Sequence, residues 1–503
     1  MLAAGCNVTE ADIEHWKHTQ RGPGKITTVL TRTEYALPMR VRAARALIEM
    51  KHPNVNGLDR LQSALGQMPA SEREQIVHAL LPELASMMRA QGSTPSNGPS
   101  EAQIKAKDAA FVLIRGDGRQ SFANAEDRTA LSTQVLDWML ADFNGRALAG
   151  SFTAEQIVNG IGPSSAERLT AAVSSDDSSI PVIVELAKLI NGVATPEGKQ
   201  AAVARVVAVA REVEGEAITA RLRTRAQQLI EQGGVRNPSA DVINRGAERL
   251  RGQYLTVIFE AVKTLGQSNG TDYLLAVARN AAVPLDRRKA ALTAMAGTVA
   301  SSHTDGLFEV LNCAPSASCD LELRALAADR VGETRDRAAT ARLFTVFDAS
   351  NGNAADNGFT LRWKIGEAIL KLGGASVLSE FAQHLGAPRV APFVGYTFAE
   401  LNGEAQAVGD MTPPPRDAMR ALTAASNPLP VRLLAIMFLG IKGEERDLAL
   451  LQGFASDSTA IPGLGEGWTA ESLTTVGAVA TKARQQLQQA LRGAQQPAAN
   501  AAQ

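Results

Sequence analysis

Cysteine, histidine and aromatic residues are scarce in this chain. Its 503 residues include three cysteines and six histidines, and aromatic residues make up 4%. The chain has no HExxH motif, no GxSxG motif and no paired cysteine–histidine zinc spacing, the patterns that typically indicate metalloproteases, hydrolases and zinc sites. The sequence therefore predicts a protein without catalytic residues, metal ligands or a cofactor. It also has no run of about 18 apolar residues, so it predicts no membrane-spanning helix.

An excess of either charge is missing too. The chain has 51 Lys and Arg residues against 52 Asp and Glu residues, for a formal net charge of −1. Nucleic-acid-binding proteins usually carry a basic excess or a basic stripe, so no nucleic acid partner is expected. The hydrophobic content of 45%, with few aromatic residues, indicates a core of closely packed Ala, Leu and Val side chains.

A helical pattern recurs between Pro284 and Leu385. It consists of Arg-x-x-apolar-x-x-x-apolar, and positions i, i+3 and i+7 of a helix share one face. A small first apolar residue lets a neighbouring helix approach closely, while the larger second one fills the space between the helices. The three copies are Arg288 with Ala291 and Met295, Arg324 with Ala327 and Val331, and Arg362 with Ile365 and Ile369.

Further copies stand near both ends of the chain, at Arg40 with Ala43 and Leu47 and at Arg432 with Ala435 and Leu439. The spacing of roughly 35 to 40 residues in the central stretch accommodates two helices and two turns, the size of a helix-pair solenoid repeat. The sequence resembles the HEAT repeat family in this respect. The resemblance implies an all-α fold without a sheet, an α-solenoid (superhelix) of roughly ten to thirteen helix pairs. It also implies that these arginines are structural residues of the repeat.

In HEAT repeats this arginine packs along the next repeat and bonds an acidic residue somewhat upstream. The resemblance implies that Glu34 pairs with Arg40 and Asp356 with Arg362. The equivalent positions before the other three arginines hold no acid and are Ala282, Ser318 and Ser426. An arginine–acid ladder is therefore expected in only part of the chain.

The chain opens with Met-Leu-Ala-Ala-Gly-Cys, so small residues precede Cys6. This resembles the end of a bacterial lipoprotein signal, where the cysteine is acylated and becomes the mature N-terminus. The resemblance implies that Cys6 is a lipid anchor and that the charged and apolar parts of the signal lie upstream of Met1. It also implies a cell-envelope location, as an outer-membrane lipoprotein that faces the periplasm. The alternative is a cytoplasmic protein with a chance cysteine near its start.

The other two cysteines, Cys313 and Cys319, flank a Pro/Ser turn between helices predicted at 304–312 and 320–332. Their Cα atoms can come within disulfide range across such a turn. Free buried thiols are the alternative, and a zinc site needs more ligands than this segment offers. A disulfide would agree with export to an oxidising compartment.

Proline- and glycine-rich stretches divide the chain into segments. The expected segments are a lipobox-like remnant of a signal peptide (1–6), an N-terminal helical cap with the first repeats (7–91), a flexible loop (92–100), degenerate helical repeats (101–283), clear HEAT-like repeats (284–386), a Pro-rich break (387–415), C-terminal HEAT-like repeats (416–492) with an insertion (456–473), and a disordered tail (493–503).

The function class that these features favour is a non-catalytic scaffold that binds another protein. The alternatives are a cytosolic HEAT-repeat adaptor and a HEAT-like lyase or enzyme-associated subunit, since some HEAT-like proteins attach bilins to phycobiliproteins. The membrane is expected to be contacted only through the lipid anchor. Because the second helix of each pair normally lines the concave face, the exposed positions that flank Arg288, Arg324 and Arg362 are the candidate partner contacts.

Overall fold

The computed structural model describes residues 8–89, 98–118, 120–350, 359–387, 398–461, 468 and 471–500. The chain is 73% helical, and the only β pairing in these residues is a set of isolated bridges such as Ser316–Cys319. The predicted all-α helical repeat fold is confirmed. The chain divides into two compact units, Met1–Ala247 and Glu248–Gln503. None of the described helices is both long enough and apolar enough to cross a membrane.

The first unit is built from helices of about two to five turns. They are α1 (Glu10–Trp16), α2 (Gly22–Thr31), α3 (Leu37–Glu49), α4 (Gly57–Gly66), α5 (Ala70–Arg89), α6 (Glu101–Arg115), α7 (Ala125–Leu140), the single turn α8 (Phe143–Arg146), α9 (Ala154–Ile161), α10 (Ser165–Ala172), α11 (Ile183–Val193), α12 (Pro196–Glu214) and α13 (Thr219–Gln232). The division between the units falls inside α14 (Ala240–Leu265).

The second unit continues with helices of similar length. They are α15 (Ser268–Arg279), α16 (Leu285–Ala294), α17 (Thr304–Leu311), α18 (Leu321–Glu333), α19 (Ala339–Ala349), α20 (Phe359–Gly373), α21 (Leu378–Gly386), α22 (Phe398–Gly409), α23 (Arg416–Leu422), α24 (Leu429–Lys442), α25 (Asp447–Gly453) and α26 (Val476–Asn500). The helices predicted at 304–312 and 320–332 are thus confirmed as α17 and α18.

Both units stack their helices in two rows. In the first unit, α2, α4, α6, α9 and α11 pack in succession as a first row, and α3, α5, α7, α10 and α12 pack in succession as a second row. In the second unit the second row runs α16, α18, α20, α22, α24 and α26, while α15, α17, α19 and α21 belong to the first row. Neighbouring rows share one apolar core, as expected of helix-pair repeats that cannot bury their apolar faces alone.

Glycines behind two of the signature stretches explain the closest second-row contacts. A Cβ on Gly332 of α18 would lie 2.9 Å from Ala368 Cα of α20, and a Cβ on Gly440 of α24 would lie 2.8 Å from Ala483 Cα of α26. Real Cβ atoms do not approach carbon atoms so closely. The missing side chains therefore let these helix backbones pack against each other.

Two of the expected segments contain helix. The Pro-rich break 387–415 contains α22, because Leu401, Ala405 and Val408 form a buried stripe at helical spacing between the prolines. The tail expected to be disordered from 493 is helical as far as Asn500, as the end of α26, which is consistent with the favourable helix propensity of its Ala and Gln residues. Cys6, most of the loop 92–100 and part of the insertion 456–473 lie outside the described residues.

Candidate functional site

Each of the signature arginines is the fourth residue of a second-row helix. They are Arg40 in α3, Arg288 in α16, Arg324 in α18, Arg362 in α20 and Arg432 in α24. Four of them are less than 10% exposed, and Arg324 is half-buried. A guanidinium taken out of water needs hydrogen-bonded partners, because its desolvation is otherwise very costly.

The first partner is the C-terminus of the preceding first-row helix. Carbonyls of a last helical turn have no donor within their own helix and carry the negative end of the helix dipole. Four of the arginines donate to such carbonyls: Arg40 Nε to Leu30 O at 2.9 Å, Arg288 Nε to Ala278 O at 2.7 Å, Arg324 Nε to Leu311 O at 2.7 Å, and Arg362 Nη1 to Phe347 O at 2.6 Å. Each of these contacts fixes the second helix of a pair on the end of the first.

The second partner comes from later in the chain. It is a carboxylate for three of the arginines and the Ser318 carbonyl for Arg288. The ion pairs are Arg40 Nη2–Glu72 Oε2 at 2.9 Å, Arg362 Nε–Glu400 Oε1 at 3.2 Å and Arg432 Nη2–Asp457 Oδ2 at 2.8 Å. In the last pair, hydrogen bonds from Thr459, reinforced by Arg432, lower the pKa of Asp457 to about 2. These arginines therefore connect successive repeats and are not available to a ligand.

The upstream acid implied by the family resemblance is not the partner of Arg40. Glu34 pairs with the exposed Arg32 at 3.2 Å, while Arg40 reaches forward to Glu72. The reason is geometric, because the Arg40 side chain points into the seam between α2 and the start of α5, and Glu34 is exposed outside that seam. Asp356, the upstream acid expected for Arg362, lies outside the described residues.

Two further arginines hold the same position and were not predicted. Arg73 is the fourth residue of α5 and Arg128 the fourth residue of α7. Arg73 is 6% exposed, with its guanidinium 5.4 Å from the centre of the Phe122 ring. Arg128 Nη2 donates to the Ile161 carbonyl at the end of α9, at 3.2 Å. The signal was present in the sequence, because Arg73-x-x-Ile76-x-x-x-Leu80 and Arg128-x-x-Leu131-x-x-x-Val135 follow the same pattern as the other copies.

Surface grooves open between neighbouring second-row helices. In the second unit, a groove of about 640 Å³ lies between α18 and α20, beside the 313–319 turn. Its apolar lining includes Leu321, Ala325 and Leu326, and its charged lining includes Asp329 and Lys364. Such a mixture of apolar surface and a few charged groups is typical of binding sites. Residues close to Arg324 and Arg362, where partner contacts were expected, line this groove.

The first unit has two adjoining grooves between its own second-row helices. One, of about 650 Å³, lies between α7 and α10, and the other, of about 370 Å³, lies between α5 and α7. Both include Asp137 and Ala141 of the α7 segment, so they meet across that helix. Asp137 forms an ion pair with Arg168, and this contact raises the pKa of the Arg168 guanidinium.

The smaller of these two grooves contains buried polar groups that have no hydrogen-bond partner among the described residues. They are Gln134 Oε1, Trp138 Nε1 and Arg146 Nε. Trp138 is 5% exposed, and the Arg146 guanidinium stacks 4.9 Å from the centre of its indole ring. Arg146 Nη1 also donates to the Trp138 carbonyl at 2.7 Å, which holds the arginine at this position. The sequence analysis did not identify these residues, because no local pattern distinguishes them.

The structure brings Cys313 and Cys319 together. Their sulfur atoms lie at disulfide distance and their Cα atoms are 6.2 Å apart. Ser316 and Cys319 pair as an antiparallel bridge, and Cys319 is buried beside the groove between α18 and α20. The turn also presents the Ser318 carbonyl to Arg288. The cysteine pair thus holds one wall of that groove.

Among the described residues, no group of three or more His, Cys, Asp or Glu side chains could hold a metal ion. His15 and His18 near the N-terminus are part of no such group, and Glu14 of the same segment pairs with Lys17 and Arg42.

Comparison with known proteins yields no family for this chain. No protein-family model matches it, and no curated protein matches it. The crystal structure of an engineered protein aligns with 93% of this chain and 98% of its own chain, at 15% sequence identity and a TM-score of 0.22. A TM-score this low carries no argument about fold or function, so the chain's own helices and grooves are the basis for any functional conclusion.

Proposed function

We propose that this protein is a non-catalytic HEAT-like scaffold that binds another protein along the second-row face of its helices. The observation that carries the proposal is the position of the grooves: in both units they open between second-row helices. Arg362 is held by contacts within the chain, whereas Arg324 donates Nε to the Leu311 carbonyl and also lines the groove between α18 and α20. The exposed positions beside these arginines are the candidate partner contacts.

The charge of these grooves favours a protein partner over nucleic acid. Around the groove between α18 and α20, the carboxylates of Asp320, Glu322 and Asp329 accompany Arg324 and Lys364. A phosphate backbone would meet carboxylates as often as cations there, whereas nucleic acid recognition depends on a basic surface. Mixed charges around apolar residues are usual in protein–protein interfaces.

We place the protein in the bacterial cell envelope, as an outer-membrane lipoprotein that faces the periplasm and is anchored through Cys6. Two features support this location: the small residues before Cys6 and a cysteine pair at disulfide distance, because disulfides persist mainly in oxidising compartments. The competing location is the cytoplasm, where the same scaffold would be an adaptor.

Fractionation tests the location. Cells should express the gene with its natural upstream sequence, either unchanged or with Cys6→Ala. We expect the unchanged protein in the membrane fraction and the variant in the soluble periplasmic fraction. Recovery of both proteins from the cytosol would show that the envelope location is wrong.

Cross-linking in cells followed by mass spectrometry should identify the partner, and charge reversal then tests which face binds it. On the second row, Glu167→Arg in α10 and Glu322→Arg in α18 alter exposed positions beside the grooves. On the first row, Glu155→Arg in α9 and Glu380→Arg in α21 are matched controls. All four glutamates are exposed and lie in the first turn of their helix, so each reversal costs a similar helix-dipole energy of about 0.3–1 kcal/mol.

We expect the second-row reversals to weaken the cross-links to the identified partner and the first-row reversals to leave them unchanged. The helical circular dichroism signal should be the same for all four variants. Loss of cross-links only in the first-row variants would contradict the proposed face. Turnover of a small molecule by the purified protein would contradict the non-catalytic function.

A further inference from the structure

The groove between α5 and α7 differs from the other two grooves in its buried donors without a hydrogen-bond partner, whereas the buried atom without one in the groove between α18 and α20 is an acceptor, Asp329 Oδ1. Trp138 Nε1 and Arg146 Nε are buried hydrogen-bond donors that have no acceptor in the described part of the chain. Leaving a buried polar group unpaired costs about 1–3 kcal/mol. Folded proteins keep few such groups, and each needs a partner such as an ordered water, an ion or a bound group.

The three unpartnered polar groups of this pocket can all bind an acceptor. The Trp138 indole and the Arg146 guanidinium can only donate, and Gln134 can turn its amide so that the NH₂ group faces the pocket. The Arg89 side chain also lines the pocket and has no ion-pair partner among the described residues. The one carboxylate in the lining, Asp137, is already paired with Arg168. The lining of the pocket therefore has a net positive charge, and Asp137 is not free to balance the charges of Arg89 and Arg146.

The rest of the lining is apolar or forms the base of the pocket. Ala85 and Met88 of α5 line the pocket together with Trp138, and Gln103 at the start of α6 donates to the Met88 carbonyl at 3.2 Å. An apolar or aromatic group next to the anionic group would bury its surface there. A carboxylate fits the donor set better than a phosphate dianion, because planar carboxylates match the fork of an arginine and this pocket has few cations.

The neighbouring groove extends the site. The pocket meets the groove between α7 and α10 at the small residue Ala141, so an extended chain can cross α7 at that point. Once the bound chain has crossed α7 into the pocket, α5 forms the opposite wall. A chain that ends in the pocket therefore fits better than one that continues through it. In the second groove the exposed Glu167 has no ion-pair partner among the described residues, so the chain should not carry an acidic residue there.

We infer that the pocket formed by Met88, Gln134, Trp138 and Arg146 binds the C-terminal carboxylate of a partner protein, with the preceding apolar residue against α5 and the upstream chain in the groove between α7 and α10. This inference rests on the proposed function and names the chemistry of the partner. Because Arg146 Nε and Trp138 Nε1 are shielded from water in the free protein, binding requires the Arg146 side chain to shift from its contact with the Trp138 carbonyl.

The test uses the whole protein and two synthetic probes, the peptide N-acetyl-Ala-Ala-Ala-Ala-Phe with a free carboxylate and the same peptide as a C-terminal amide. The chain has four tryptophans, so the indole N–H signals in a ¹⁵N-correlation spectrum are few, and Trp138→Phe identifies the one from position 138. We expect the acid peptide to shift that signal and to bind about tenfold or more tightly than the amide, as loss of a charge-assisted pair implies.

Two variants and a control separate this site from a general effect. Arg146→Gln should remove the preference for the acid peptide, and Trp138→Phe, which keeps an aromatic ring, should weaken binding several-fold. Arg115→Gln is the matched control: its guanidinium also stacks on an aromatic ring, 5.8 Å from the centre of Phe152, but it does not line the pocket. Circular dichroism should show that all of these variants remain helical.

Several results would overturn the inference. If the acid and amide peptides bind equally well, the pocket does not recognise a carboxylate. If N-acetylphenylalanine binds as tightly as the acid peptide, the upstream chain does not contribute to binding. If either result is found while Glu167→Arg and Glu322→Arg still weaken the cross-links to the partner, the inference fails and the proposed function stands. If the acid peptide binds as expected but the second-row reversals leave the cross-links unchanged, the pocket is supported and the cross-linked partner binds elsewhere on the protein.

Discussion

The contacts of Arg40 predict that one buried arginine contributes much more to stability than an exposed one nearby. Arg40 is 6% exposed, donates to the Leu30 carbonyl at 2.9 Å and pairs with Glu72 at 2.9 Å. Arg40→Met keeps most of the apolar stem but removes both contacts. The Leu30 carbonyl then lacks a partner, which costs about 1–3 kcal/mol.

The ion pair adds less, because the Glu72 side chain is 28% exposed and water replaces part of the lost contact. A partly exposed pair of this kind contributes about 0.5–1 kcal/mol. The expected loss for Arg40→Met is therefore about 1.5–4 kcal/mol in the free energy of unfolding. The control is Arg32→Met, because Arg32 and Glu34 are 61% and 60% exposed, and it should cost at most about 0.5 kcal/mol.

Urea unfolding followed by circular dichroism measures the loss, and hydrogen exchange of Leu37–Glu49 shows whether it arises at α3. The acidic partners provide a second comparison. Glu72→Gln should destabilise the protein more than Glu34→Gln, because only Glu72 pairs with the buried guanidinium. Equal losses for Arg40→Met and Arg32→Met, or a larger effect of Glu34→Gln, would refute this account of the arginine.

Three further predictions concern the second unit. Gly332→Val should lower the melting temperature markedly, because a Cβ there would meet the α20 backbone and overpacking costs about 1–3 kcal/mol or more. Gly252→Ala, at a position with open space around it, should be neutral or stabilising. A larger loss of melting temperature for Gly252→Ala than for Gly332→Val would contradict the close approach of α18 and α20. The carboxylate of Asp457, whose pKa is lowered to about 2, should stabilise the protein above about pH 4 and lose that contribution as the pH falls toward its folded pKa. The difference in urea stability between the protein and Asp457→Asn should therefore shrink over that range, and a constant difference would count against the carboxylate's role. Peptide mapping without reductant should recover Cys313 and Cys319 joined, whereas two thiols that react with an alkylating reagent in protein from an oxidising compartment would exclude the disulfide.

The repeat signature could be read from the sequence because it is local. Ala327 and Val331 follow Arg324 at helical spacing, and both are fully buried, since a helix places i, i+3 and i+7 on one face whatever its neighbours are. The turn between Cys313 and Cys319 is local as well, so a short loop was enough to predict that the two cysteines come together. The all-α fold followed from many such short-range patterns.

The helix within the Pro-rich segment depends on the environment of that segment. The Pro-rich break around 387–415 was predicted from its prolines, but α22 forms there because α20 and α24 bury its apolar stripe. Propensity at single positions is a weak guide when tertiary packing rewards the helix.

The sequence alone determined which residues lie on one helix face, and with that the helices, the repeat signature and the position of the signature arginine as the fourth residue of its helix. Tertiary structure alone decided what each arginine binds: Glu72 rather than Glu34 for Arg40, at a distance set by how the repeats stack. It also brought Gln134, Trp138 and Arg146 together with α5 in one pocket. The physical reason is that a helix is defined by bonds between residues four positions apart, whereas grooves and ion pairs depend on the register in which separate helices pack.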